Sequence, residues 1–367
     1  MWAEIDLGAL RKNLKAIRAL LEPHVAILPV IKSEAYGHGL VQVAKALASE
    51  GVYGFGLSDL EEAVRLREEG LVLPLVLLSG FEPQWLTEII RFRVIPVVTD
   101  LYQLQILSDF TKTKRKKLSL HLKIDTGMHR LGLARKELSE ALEILLGHPY
   151  LNLTGVMSHL AAADQPYTEL TVNQKKAFWT SIEEIKRLGF KPRFYHLANS
   201  AALILDSQTH YNLVRPGLAL YGVYPCTEAR KKLNLNPVMT LKARIFSIKE
   251  VPPGGFIGYG PLYRAPRSMK IAYVPIGYDD GYLRVLSNRG FAWLKGERIP
   301  VIGAVSMRCT AFDVSKVKNV SRGDEVILLG GQQAEVPVED LAHKAGVISY
   351  ELLCLLGSRA HKIYLRA

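Results

Sequence analysis

The stretch Val25-Ala26-Ile27-Leu28-Pro29-Val30-Ile31-Lys32-Ser33-Glu34-Ala35-Tyr36-Gly37-His38-Gly39 decides between two architectures. Its opening run, 25–31, is apolar and β-branched, the composition of a strand buried on both faces. An open, doubly wound sheet places a glycine-rich phosphate turn directly after its first strand. Here the strand ends instead in Lys32. Similar runs follow at 53–57, 74–78, 94–98, 118–124, 153–158, 193–197 and 212–214. Helical spacing fills most of the intervals. Leu10, Leu14, Ile17 and Leu21 fall on one helical face. Ser58 with Glu61 reads as a capping box for a helix ending near Gly70, and Pro83 and Asp100 open two more. Strands alternating with helices through the first part of the chain, about 220 residues, match a closed parallel barrel in size. The expected fold is therefore α/β, with a (β/α)8 TIM-like barrel over 1–232.

Beyond residue 232 the rhythm changes. Short alternating runs, Thr240 to Ile248 and Glu325 to Leu329, are separated by turn signals such as Pro252-Pro253-Gly254-Gly255. Two short helices are expected near 337–345 and 349–356. This second domain, 233–367, reads as mostly β, and the strand-like Trp2 to Leu7 suits either domain.

Composition narrows the function. The 367 residues exceed what one hydrophobic core usually holds. Hydrophobic residues at 49% and charged residues at 22% are those of a globular chain, and no apolar run approaches the roughly 18 residues that cross a bilayer. Glu4 and Asp6 stand where a secretory signal would be basic and then apolar, so a cytoplasmic protein is expected. Cys226, Cys309 and Cys354 are too few and too scattered for a disulfide framework or a metal site. The net charge of +12 is spread along the chain. Its one dense cluster, Lys112, Lys114, Arg115, Lys116 and Lys117, reads as a solvated loop, and no nucleic-acid-binding pattern accompanies it.

A parallel barrel gathers its chemistry at the carboxyl ends of its strands. The segments there are polar. Lys32 to Gly39 follows the first strand, and Lys123-Ile124-Asp125-Thr126-Gly127-Met128-His129-Arg130-Leu131-Gly132 ends and follows the fifth. Ser158 and His159 follow the sixth, His196-Leu197-Ala198-Asn199-Ser200 the seventh, and Arg215-Pro216-Gly217 the eighth. A lysine desolvated on a barrel rim has a lowered pKa and a nucleophilic amine suited to a Schiff base, which is the reading of Lys32. Ser200 and Gly217 lie in the loops after strands seven and eight, where barrel enzymes commonly hold phosphate. Arg215 stays protonated, and facing a pyridine nitrogen it would oppose protonation there.

These residues, with Trp2-Ala3-Glu4-Ile5-Asp6, Gly258-Tyr259-Gly260, Pro275-Ile276-Gly277-Tyr278, Asp280-Gly281 and Ile348-Ser349-Tyr350-Glu351, resemble the alanine racemases over nearly the whole chain. The resemblance implies a pyridoxal 5'-phosphate enzyme that interconverts L- and D-alanine, supplies D-alanine for peptidoglycan and works as a homodimer with shared active sites. It implies Lys32 as the Schiff-base lysine and the base on the D-alanine face, with Tyr259 from the partner subunit as the base on the L face. His159 would lie near the cofactor ring, linked to that tyrosine. Arg130 would contact the substrate carboxylate, and Arg215, backed by His196, the pyridine nitrogen. Tyr36, Ser200, Gly217, Leu218 and Tyr350 would hold the phosphate. The backbone of Met307, again from the partner, would bind the substrate carboxylate, and Lys123 matches a lysine often carbamylated in the family.

Two departures stand out. The lysine loop reads Lys32-Ser33-Glu34-Ala35-Tyr36 where the family usually has Lys-Ala-Asn/Asp-Ala-Tyr, which puts a longer acid beside the reactive lysine. At Val305-Ser306-Met307-Arg308-Cys309 the usual Asp after Met is Arg308, and an arginine four positions earlier is Ala304. On an extended strand these two positions share a face, so Arg308 is expected to occupy part of the lost arginine's space at the site entrance and to alter substrate breadth. Two other readings are an amino-acid decarboxylase of similar build, disfavoured by the absence of a Gly-Gly-Gly phosphate loop, and a catalytically silent carrier of the cofactor, disfavoured by Tyr259.

Overall fold

The structure, a computed structural model, describes residues 1–366. Its first strand, β1 (Trp2–Asp6), lies outside the barrel. The barrel strands are β2 (Ala26–Ile27), β3 (Phe55–Leu57), β4 (Leu75–Leu77), β5 (Val94–Val98), β6 (Leu118–Lys123), β7 (Leu151–Met157), β8 (Phe194–His196) and β9 (Leu213–Val214). Strands β3 to β8 form one six-stranded parallel sheet in chain order, and β2 pairs with β9 in parallel. The ring is completed by the Val30–Gly56 bridge on one side and, on the other, by the Arg215 N–H donating to the Ala198 carbonyl at 3.0 Å. All eight expected strands form close to their expected places.

Alternation along these strands separates two cores. Leu28, Val76, Val97, Met157, Phe194 and Leu213 pack with one another inside the barrel. Leu75, Leu77, Val94, Val98, Leu120 and Leu122 pack outward against the helices. Most of the longer helices begin on a side chain that accepts otherwise unmatched N–H groups. Asp6 caps Leu7–Arg18 and Asp100 caps Leu101–Lys114. The cap of Leu60–Glu68 is Asp59, one residue later than the capping box proposed from Ser58, because Asp59 is the residue whose carboxylate accepts the Glu61 N–H.

The second part of the chain is mostly β. Its strands are β10 (Met239–Arg244), β11 (Ser247–Val251), β12 (Met269–Val274), β13 (Phe291–Leu294), β14 (Glu297–Pro300), β15 (Thr310–Asp313), β16 (Glu325–Leu329) and β17 (His361–Leu365). The run Thr240 to Ile248 is thus two strands, which belong to different sheets. One sheet has the order β14-β13-β16-β10-β1-β17 and the other β11-β12-β15. Strand β1 is therefore part of the β domain, antiparallel to β10 and parallel to β17. Of the two late helices, Val338–Ala345 and Ser349–Arg359, the second lies against the turn after β2. The approach is close enough to require two glycines. A β-carbon on Gly357 would stand 2.4 Å from the Gly37 carbonyl oxygen, and one on Gly37 would stand 2.5 Å from that of Leu353.

Candidate active site

The carboxyl ends of the barrel strands and the helix Ser349–Arg359 enclose a cavity of about 710 Å³. Lys32, Tyr36, Lys123, Arg130 and His159 line it, as do Ser200, Arg215, Gly217, Leu218 and Tyr350. Ten of the residues singled out in the sequence therefore meet in one space. His196 is fully buried behind Arg215 rather than on the wall. Tyr259 and Met307 do not line the cavity; they are 73% and 57% exposed on the β domain.

Lys32 enters from an unusual backbone. Ser33, Glu34, Ala35 and Tyr36 have φ of 53°, 56°, 53° and 55°, a left-handed turn built without glycine. Each such residue costs about 1–2 kcal/mol relative to its right-handed form. Nothing in the residue types announces this turn. It closes through the Ala35 N–H to the Ile31 carbonyl at 2.9 Å and the Gly39 N–H to the Glu34 carbonyl at 2.8 Å. Burial lowers the Lys32 pKa, the nearby Arg130 guanidinium lowers it further, and Cys354 and Glu62 oppose both. Glu34, the longer acid beside that amine in the sequence, is engaged elsewhere. Its carboxylate pairs with Arg65 at 2.8 Å and accepts the Leu40 N–H at 3.2 Å. The Arg65 bond holds Glu34 below the usual carboxylate range.

One end of the cavity is arranged for an anion. The Ser200 hydroxyl oxygen accepts the Gly217 N–H at 2.9 Å and the Ala219 N–H at 3.2 Å, which leaves its proton to donate into the cavity. Ser200 is not the helix cap. Asn199 is, accepting the Ala201 and Ala202 N–H groups. A β-carbon on Gly217 would lie 2.6 Å from the Tyr36 hydroxyl, so the bare glycine backbone makes room for that phenol. The Tyr36 and Tyr350 rings lie 5.6 Å apart. Among the described residues Lys32, Lys123, Arg130 and Arg215 face a single lining carboxylate, Glu351, so the cavity favours an anionic ligand.

Arg215 is not the surface ion pair a lone arginine usually makes. It is buried, and its partners are the carbonyl oxygens of Ser158, His196 and Leu197 and the His196 ring. Burial lowers its pKa to about 10, which leaves it cationic at neutral pH. A permanent donor fixes the proton positions behind it. Arg215 Nη1 donates to His196 Nδ1 at 3.0 Å, so His196 carries its proton on Nε2 and gives it to His121 Nδ1, also at 3.0 Å. His121 was not singled out in the sequence, where it is one polar residue in an apolar strand. Its ring lies over Gly155, where a β-carbon would meet it at 2.5 Å. Burial, then Arg215, holds His121 and His159 down to about 3, and His196 well below its ordinary value. His159 Nδ1 lies 3.5 Å from Arg215 Nη2. Burial first, then the cations Arg130, Arg215 and Lys32, lowers Lys123 to about 8.

The entrance departure is differently arranged from its sequence reading. Met307 and Arg308 bend the chain, and the Ser306 N–H donates to the Cys309 carbonyl at 3.0 Å across them, so 306–309 doubles back rather than running as an extended strand. Ala304 is buried and Arg308 is 71% exposed, so the two do not share a face. Arg308 instead reaches the buried Asp280, 3.6 Å away, whose other oxygen accepts the Gly277 N–H at 3.0 Å.

Comparison with known proteins agrees with this arrangement. The family model described as alanine racemase, N-terminal domain, matches residues 5–225, and that of the C-terminal domain matches residues 238–364. The alanine racemase of Syntrophobacter fumaroxidans is 40% identical over 99% of this chain and 97% of its own length. That of Geobacter sulfurreducens is 38% identical over 99% and 96%. Among solved structures, alanine racemase from Clostridium difficile superposes with a TM-score of 0.92 at 35% identity, covering 99% of this chain and 95% of that one. The alanine racemase from Bartonella henselae, described with covalently bound pyridoxal phosphate, superposes with a TM-score of 0.88 at 28% identity and 99% coverage of both chains.

Proposed function

Because this chain belongs to the alanine racemase family, and so is an isomerase, we propose that it racemises alanine with two opposed bases, Lys32 and the Tyr259 of a second copy. The observation that carries this reading is the cavity itself: a desolvated lysine amine, an anion cradle at Ser200 and Gly217, and a buried arginine in one space. These residues suit pyridoxal 5'-phosphate. Ser200, Tyr36, Tyr350 and the backbone at Gly217 and Leu218 would hold its phosphate, Arg215 would face its ring nitrogen, and Lys32 would carry it. When bound, the cofactor supplies an electron sink for the charge left at the substrate's α-carbon. The protein's own groups do the rest. Lys32 exchanges the α-proton on the D face, since its lowered pKa makes a neutral amine available. Arg215 keeps a positive charge where a pyridine nitrogen would take a proton, which restrains side reactions that need a stronger electron sink. Arg130 would bind the substrate carboxylate. A neutral Lys123 amine would add CO₂ with loss of a proton to solvent, turning a cation into an anion that orients Arg130.

The second base is missing from the cavity of a single chain. Tyr259 and Met307 are exposed and distant from it in sequence and domain. We propose that a homodimer brings them there, with the Tyr259 hydroxyl serving the L face and the Met307 backbone the carboxylate. The division at 232/233, the cytoplasmic location and the supply of D-alanine to peptidoglycan belong to the same reading. No helix among the described residues is long and apolar enough to cross a membrane. A broader amino-acid specificity is favoured by one observation, the replacement of the family's acid by Arg308. The test is α-proton exchange of each alanine enantiomer in D₂O, followed by NMR, for the native enzyme and Tyr259→Phe. Exchange of both enantiomers, with loss confined to L-alanine in the variant, supports two bases. A native protein that binds the cofactor and exchanges neither enantiomer is a carrier.

A further inference from the structure

The left-handed turn that presents Lys32 is disfavoured for residues with β-carbons, so contacts outside it must hold it. One comes from the helix Leu60–Glu68. The Glu34 N–H, in the middle of the turn, donates to Glu62 Oε1 at 3.0 Å. The second carboxyl oxygen of Glu62, Oε2, is buried with no hydrogen-bond partner among the described residues. Burial pushes the Glu62 carboxyl up, and the group is one of two that raise Lys32 against its own burial. The same helix grips the turn a second time. Arg65 pairs with both oxygens of Glu34, at 2.5 Å and 2.8 Å. From the other side, the His38 ring nitrogen Nδ1 reaches the carbonyls of Ala35 and Tyr36, each at 3.0 Å. With both of those partners acceptors, Nδ1 carries the proton and donates.

We infer that Glu62 is a positioning residue: by accepting the Glu34 N–H it clamps the left-handed turn and so places the Lys32 amine at the substrate, while Glu34 and Arg65 lock the turn from its exposed side. The inference rests on Lys32 as the D-face base. It gives the Glu34 departure a purpose, since glutamate has the reach to pair with Arg65 and the Leu40 N–H together. It also separates the two glutamates by role. Position 62 needs only an acceptor, whereas position 34 needs a charge.

The experiment uses the enzyme loaded with pyridoxal phosphate and reads two things: amide hydrogen exchange in a peptide spanning 31–39, and α-proton exchange of each alanine enantiomer. In Glu62→Ala, exchange at the turn rises and D-alanine exchange falls, each by roughly tenfold, as expected when a buried N–H loses its acceptor. L-alanine exchange, which Tyr259 initiates, changes less than about twofold. Glu62→Gln keeps an acceptor oxygen and restores both readouts. A defect of general stability would move both enantiomers alike. Arg65→Gln, at a half-exposed position, gives a smaller change in the same direction and serves if Glu62→Ala does not fold. Unchanged amide exchange together with an unchanged D-to-L ratio in these variants overturns the inference. A native enzyme in which borohydride traps no cofactor on Lys32 overturns the parent reading instead, and the amide-exchange arm still decides the clamp.

Discussion

At the scale of the residue, charge is set here by what surrounds it. Lys123 and Lys32 lose basicity to burial and to neighbouring cations, while Arg215 keeps its charge through a deeper burial because it starts higher. Arg308 shows a mixed setting: it is exposed, but its ion-pair partner, the buried Asp280, is 3.6 Å away. A pair with one exposed member at this distance contributes on the order of 1 kcal/mol. Arg308→Asp removes that pair and sets a second carboxylate near Asp280, so it should lower the melting temperature by a few degrees, about 2–4 °C. Beside Met307 in the same bend, it should also alter the kcat/KM ratio for alanine over serine by roughly threefold, or about 0.65 kcal/mol. An unchanged ratio removes Arg308 from specificity. The residues of the site divide by whether their type was out of place in the chain. Lys32, Lys123 and Arg215 are polar residues at the ends of apolar runs, and such residues converge at one mouth of a parallel barrel. Glu62 was illegible because a glutamate on an exposed helix is ordinary, and His121 because one histidine in a strand is ordinary. The shared face of Ala304 and Arg308 was misread because no glycine or proline marks the bend at 306–309.

At the scale of the element, the helix Ser349–Arg359 joins the two domains at the site. It brings Tyr350 to the cavity and lies on the lysine turn through the facing Gly37 and Gly357. Gly357→Ala would put a methyl 2.4 Å from a carbonyl oxygen, so the helix or the turn must move. We expect a loss of about 1–3 kcal/mol in stability, the usual range for overpacking, and weaker retention of pyridoxal phosphate because Tyr350 moves with the helix. Thermal unfolding and cofactor titration check both, and a variant with native affinity would separate the helix from phosphate binding. The helix itself was legible, as were the barrel strands, whose apolar runs are long and regularly spaced. Less legible were elements that depend on distant partners. The run Thr240 to Ile248 divides between two sheets, and β1 gave no sign of which domain would claim it. The left-handed turn had no signal at all, since it is imposed by its neighbours against the preference of its own residues.

At the scale of the whole molecule, three fully buried histidines link folding to acidity. His38 is held to about 4 and His121 to about 3, and His196 well below its ordinary value, all chiefly by burial. Each is neutral when folded and takes a proton near pH 6.5 once unfolded, so the stability it contributes is present above about 6.5 and is lost as pH falls toward its folded value. Each adds a slope of up to about 1.4 kcal/mol per pH unit in that window. The urea midpoint should fall steeply between pH 6.5 and 4, and His121→Gln should shallow the fall; a flat midpoint would contradict the neutral assignment. The sheet order has a different consequence. Strand β1 is made before the barrel, yet its partners β10 and β17 are the first and last of the strands described in the second domain. The barrel strands between them pair only among themselves. During synthesis the barrel can close while β1 waits without a sheet, a long-range pairing that is slow to form. Its place is completed only when β17 arrives, so a chain cut short before His361 keeps the barrel strands and leaves one edge of β1 open to pairing with other chains.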